Sequence, residues 1–125
     1  SWEGDGGLIA FYFSDKNTLA TLCGMQIINE LFIYNRLFCP LDEPLTVRLS
    51  AHNGFCEYQD NIEDLKKNEV IKHTIEIEGK FTDPNSFSIS DVVYRSLDEK
   101  LKKLFNPFEN NKNKSIHNYS ITWEN

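Results

Sequence analysis

The chain has 125 residues, a formal net charge of -6 and a pI near 5.0, with 40% hydrophobic and 13% aromatic residues. That is the size and composition of one globular domain with a single core, not of a disordered chain. The acidic balance argues against nonspecific nucleic-acid binding, which needs a basic surface to displace counterions. No apolar run approaches the roughly 20 residues that span a bilayer, and no basic leader precedes one, so a soluble, cytoplasmic domain is expected.

The chain opens with Gly4-Asp5-Gly6-Gly7, a tight glycine turn between Trp2 and the apolar stretch Leu8 to Phe13. Glycine accepts positive φ and lets a ligand approach the backbone, so Asp5 can project from the turn as a metal or phosphate ligand. Asp-Gly is equally the signal of an ordinary hairpin. Ser14 is placed to cap a long helix, along which Leu19, Leu22, Cys23, Ile27, Leu31 and Tyr34 recur at three- and four-residue spacing and are expected to face the core. Pro40 and Pro44 bracket a connection. Leu45, Val47, Leu49 and Ala51 then alternate with polar residues in a half-buried strand. Asn53-Gly54 reads as a turn that returns Phe55 to Tyr58 as its hairpin partner.

Asp60 to Lys67 is polar, a short helix or a loop. Val70 to Phe81 reads as a helix with Ile71, Thr74, Ile75 and Glu78 on one face, ending near Gly79, although Thr74-Ile75-Glu76-Ile77-Glu78 also alternates as a strand would. Phe87 to Ser90 is extended. From Asp91 a helix is expected to about Leu104, burying Val92, Tyr94, Leu97, Leu101 and Leu104. Residues 106–114 form a polar, Asn-rich loop, and Ile116 to Trp123 a last strand. The order predicts an α/β (α+β) sandwich with helices on a mostly antiparallel sheet.

Cys23, Cys39 and Cys56 are odd in number and far apart, so they read as reduced, mostly buried thiols and not as a disulfide framework or metal motif. His52, His73 and His117 show no zinc-ligand spacing.

Four separated segments, in this order, resemble the catalytic domain of class III adenylate and guanylate cyclases. They are Trp2-Glu3-Gly4-Asp5-Gly6-Gly7 with Ile9-Ala10-Phe11, the strand Val47 to Gly54, the segment Glu78-Gly79-Lys80, and the run Ile89 to Tyr94. The resemblance covers roughly Ser1 to Leu97. It implies a ferredoxin-like nucleotide-cyclase fold and a head-to-tail homodimer, or a heterodimer with another cyclase-like domain. The site of the family lies at the dimer interface and converts ATP or GTP to a cyclic nucleotide and pyrophosphate. Two Asp residues there hold two Mg or Mn ions, which ionise the ribose 3′-hydroxyl and neutralise the leaving pyrophosphate. Asp5 matches the second aspartate. The first would lie on a strand before Ser1, so the resemblance implies an N-terminally incomplete domain.

By the same resemblance Gly4 and Gly6 flank the nucleotide, Asp64 lies near a base-recognition position, and Arg48 and His52 fit strand positions of the family. The Lys expected before the Gly-Asp turn is replaced by Trp2-Glu3. The family places an Asn and, four residues later, an Arg on one helix. Anchoring on Glu78-Gly79-Lys80 puts Lys72 and Glu76 at those positions, and a shift of one residue gives Ile71 and Ile75. Glu76 would repel the phosphates it ought to stabilise. The expectation is a cyclase-homology domain that is inactive alone and acts in dimerisation, regulation or nucleotide sensing. The alternatives are the metal-bearing half of a heterodimeric cyclase, or a small α+β interaction module that uses its sheet face or the loop 106–114.

Overall fold

The computed structural model describes residues 2–3, 6–11, 15–38, 45–55, 62–65, 67–107 and 116–121. Near the start, β1 (Trp2–Glu3) and β2 (Gly6–Gly7) pair antiparallel, with Trp2 opposite Gly7 and Glu3 opposite Gly6. The helix α1 (Lys16–Leu37) follows. Its N-cap is Asp15, in the left-handed region at φ 62°, with no side-chain capping bond; the expected cap, Ser14, lies outside the described residues. Asp tolerates that conformation better than most side chains.

Next come β3 (Arg48–Ala51), the short helix α2 (Ile62–Leu65), α3 (Glu69–Lys80) and β4 (Ser86–Ser90). The choice for residues 70–78 falls to helix. Asn68 accepts a hydrogen bond from Val70 N–H at 2.8 Å, and the helical spacing buries Ile71 and Ile77 together. Burial on one face thereby outweighs the strand propensity of the isoleucines. α4 (Asp91–Arg95) and α5 (Glu99–Lys102) replace the single helix expected up to Leu104. The interruption is local in origin, because Asp98 takes the N-cap of α5 and accepts from Leu101 N–H at 2.9 Å. Val93, Leu97 and Phe105 are buried, whereas the expected core residues Val92 and Leu104 are exposed.

β5 (Asn106–Pro107) and β6 (Ile116–Ser120) complete a four-stranded sheet of order β3-β4-β6-β5. The first residues of the expected loop 106–114 are therefore a short strand; residues 108–114 lie outside the described set. β3 and β4 run parallel, joined by α3 as the crossover, and β6 runs antiparallel to both β4 and β5. The sheet is mixed. The hairpin expected from Asn53-Gly54 is not what β3 pairs with in the sheet. Its neighbour there is β4, Phe55 is exposed and outside any strand, and residues 56–58 lie outside the described set.

Period-two alternation assigns the two faces of the sheet. Leu49 and Ala51 lie opposite Phe87 and Ile89 and, with Tyr119, face α1, whose Met25 and Ile28 close the core together with Val93, Leu97 and Phe105. The opposite face carries Ser50, Ser86, Ser88 and Ser90, and α3 covers it, with Ser50 Oγ donating to Thr74 C=O at 2.7 Å. The helical stripe expected to be core is turned the other way. Leu19, Leu22, Cys23, Ile27 and Tyr34 are exposed and Leu31 is half-buried, while Thr21, Gly24, Met25 and Ile28 are the buried positions of α1.

Candidate functional site

Parallel neighbours place the residues that follow them side by side at their carboxyl ends, which is where open α/β sheets present ligands. Here β3 runs into His52 and β4 ends at Ser90. His52 Nδ1 lies 2.8 Å from Ser90 Oγ, a hydrogen bond across the strand ends. The crossover helix α3 brings His73 against the same point, ring to ring at 4.7 Å in an edge-on arrangement. Burial, reinforced by the neighbouring His73, lowers the pKa of His52 below 6.5 and keeps its imidazole neutral at pH 7. A neutral imidazole can exchange a proton with Ser90 or a ligand, but it does not supply a fixed cation.

Arg48 Nε lies 3.4 Å from Glu78 Oε1. On the outer surface of α3, Lys72 pairs with Glu69 at 3.5 Å, and Glu76 lies 3.5 Å from His73 Nδ1 and 3.6 Å from Lys80 Nζ. This ladder of alternating sign at i,i+3 and i,i+4 is the pattern of a solvated helix face. Lys72 and Glu76 therefore occupy one exposed surface, each with a neighbour of opposite charge already in place.

The other residues read from the sequence are dispersed. Gly4 and Asp5 lie outside the described residues. Gly6 is exposed on β2, which belongs to the two-stranded sheet and not to the four-stranded one. Asp64 is exposed on α2 and pairs with Lys67 at 3.6 Å. Among the described residues no group of three or more His, Cys, Asp or Glu side chains is arranged to hold a metal ion. Cys23, expected to be buried, is exposed, and Cys39 and Cys56 lie outside the described residues.

Two clusters escaped the sequence reading. The first is His52, His73 and Ser90; its signal is that His52 follows the last residue of one strand and Ser90 ends another, which matters only once those strands are known to be parallel neighbours. The second joins α4 to β6. Asp91 Oδ1 lies 3.0 Å from His117 Nε2, its other oxygen is 2.8 Å from Arg95 Nε, and the His117 ring stacks on Tyr94 with centroids 3.6 Å apart. This cluster ties a helix to the sheet, a structural task. None of the helices in the described residues is long and apolar enough to cross a membrane. Comparison of the chain with protein-family models, with curated proteins and with solved structures returns no match.

Proposed function

We propose that this chain is a catalytically degenerate cyclase-homology domain with a ferredoxin-like ancestry, acting through dimerisation, regulation or nucleotide sensing and not through turnover. The supporting arrangement is the β3-α3-β4 unit, which gathers three of the four resembling segments: Val47 to Gly54 on and after one strand, Glu78-Gly79-Lys80 closing the helix, and Ile89 to Tyr94 leaving its parallel neighbour. The observation that carries the loss of activity is the outer face of α3. A transition state that spreads negative charge over phosphate oxygens needs unsatisfied cations aimed at it. At the matching positions this helix offers Lys72, engaged by Glu69, and Glu76, itself an anion.

In this reading Gly4 and Gly6 cradle a nucleotide phosphate, Asp5 contributes a ligand to Mg or Mn, and Asp64 borders the base. A single carboxylate holds magnesium weakly without phosphate oxygens to complete its shell, so the metal would arrive with ATP or GTP. The test is incubation of the purified chain with Mg or Mn and either nucleotide, followed by chromatography for cyclic product. No cyclic nucleotide above the protein-free blank is expected. Clear turnover that Asp5→Ala abolishes would overturn the assignment as a degenerate domain.

A further inference from the structure

A helix that is apolar on all sides is normally covered on all sides. α1 is apolar on both faces yet, among the described residues, covered on one. Its inner side meets the sheet through Met25 and Ile28, while Leu19, Leu22, Ile27, Ile33, Tyr34 and Leu37 remain 37–70% exposed on the outside. At about 200 Å² per fully exposed large side chain, these six leave roughly 550 Å² of mainly apolar surface in water, the upper end of what a monomer tolerates. Cys23, Gln26 and Glu30 lie exposed along the same strip, part of which forms an open groove of about 480 Å³. With them the strip approaches the ~800 Å² that each partner contributes to a stable interface.

We infer that this strip is the interface of a two-fold symmetric dimer, in which α1 packs antiparallel against α1 of a second copy. The occupant follows from the order of residues along the strip, which reads nearly the same in both directions about the level of Ile28. Leu19 and Leu37 are equidistant from that point, as are Leu22 and Tyr34, Cys23 and Ile33, and Gln26 and Glu30. At 3.6 residues per turn, the members of each pair also lie at mirrored angles on the helix surface. A two-fold axis at this level therefore sets apolar against apolar at the three outer pairs and polar against polar at Gln26 and Glu30, with Ile27, whose counterpart is Asn29, the one apolar residue of the strip left unmatched. The same operation brings each Glu30 carboxylate to the Gln26 amide of the other copy, giving the one acidic side chain of the strip a donor. A head-to-tail site would use other surfaces, so this interface stands independently of the nucleotide reading.

Sedimentation equilibrium of the full chain, with circular dichroism as a check on folding, is expected to show a dimer. Gln26→Glu, an exposed change that opposes two carboxylates twice per dimer, is expected to weaken association at least about tenfold. Adding Glu30→Lys to Gln26→Glu rebuilds both pairs with opposite charges and is expected to restore it. In a background of Cys39→Ser and Cys56→Ser, Ile33→Cys should allow oxidation to join Cys23 of one copy to the cysteine introduced at position 33 of the other, identified by peptide mass spectrometry. A wild-type chain that stays monomeric at about 100 μM, far above the Kd of a stable dimer, would overturn the inference, even if it binds lipid vesicles. So would a dimer that folded Leu22→Glu and Ile33→Glu variants leave undisturbed. The latter result would place association on another face and leave the proposed function standing.

Discussion

Thr21 sits on the inner face of α1 with no measurable exposure, and its hydroxyl has no hydrogen-bond partner among the described residues. A buried hydroxyl without a partner loses its water and receives nothing in return. The buried serines of the sheet are in the opposite condition. Ser86 Oγ donates to Asp83 C=O at 2.6 Å, Ser88 Oγ donates to Phe81 C=O at 3.0 Å, and the Asn118 amide donates to both hydroxyls at 3.1 Å. Thr21→Val keeps the shape and branching while removing the orphan oxygen, and the two residues have similar helix propensity. It is expected to raise stability by about 1 kcal/mol, read as a higher urea midpoint with unchanged slope. A lower midpoint would mean that the hydroxyl has a partner after all. No periodicity could have announced these roles. Ser and Thr look alike in a sequence whether they bond to a carbonyl, to water or to nothing.

The seating of α1 depends on one small residue. A Cβ on Gly24 would lie 2.5 Å from the Phe87 ring, inside van der Waals contact, so the glycine is what lets the helix approach β4. Two effects of Gly24→Ala oppose each other. The helix gains about 1 kcal/mol of propensity, while forcing a methyl group into a filled core costs about 1–3 kcal/mol. Because the neighbour is a rigid ring 2% exposed, overpacking prevails. A net loss of about 1 kcal/mol is expected by chemical denaturation, and Phe87→Leu in the same chain should recover part of it by making room. The same helix shows why its orientation was not legible. Leu22, Ile27 and Tyr34 have proper helical spacing, but so do Thr21, Gly24, Met25 and Ile28 on the opposite side. When both faces carry apolar residues, spacing identifies a helix without choosing its inner face. α3 was legible only in part: a strand reading of residues 74–78 stayed open, and of the face expected from Ile71, Thr74, Ile75 and Glu78 the structure leaves Ile75 exposed and buries Ile77 with Ile71, opposite a charged ladder.

At the scale of the molecule, strand locations were readable from alternation, but partner choice was not, because pairing is decided between segments far apart in sequence. Asn53-Gly54 carries a strong local hairpin signal, yet β3 is held parallel to β4 by the crossover through α3 and by Asn85, whose backbone N–H donates to Val47 C=O at 2.6 Å. That long-range choice is also what creates the His52, His73 and Ser90 cluster, and it makes stability depend on pH. Two groups lie against His52: Ser90 at the end of β4 and His73 from α3. Burial and the proximity of His73 set its folded pKa below the 6.5 of the unfolded chain. Between these two values the unfolded state binds more protons than the folded state, so stability rises with pH across that window. The contribution is fully present above about pH 6.5 and is lost as pH falls through the folded pKa, below which the slope vanishes. His52→Gln, which keeps a hydrogen-bonding group toward Ser90 and removes the titration, is expected to flatten this dependence. Urea denaturation at pH 7.5, 6.5 and 5.5 tests it. The wild-type chain should lose stability on acidification while the variant loses less, and parallel curves for the two would assign the acid sensitivity to groups other than His52.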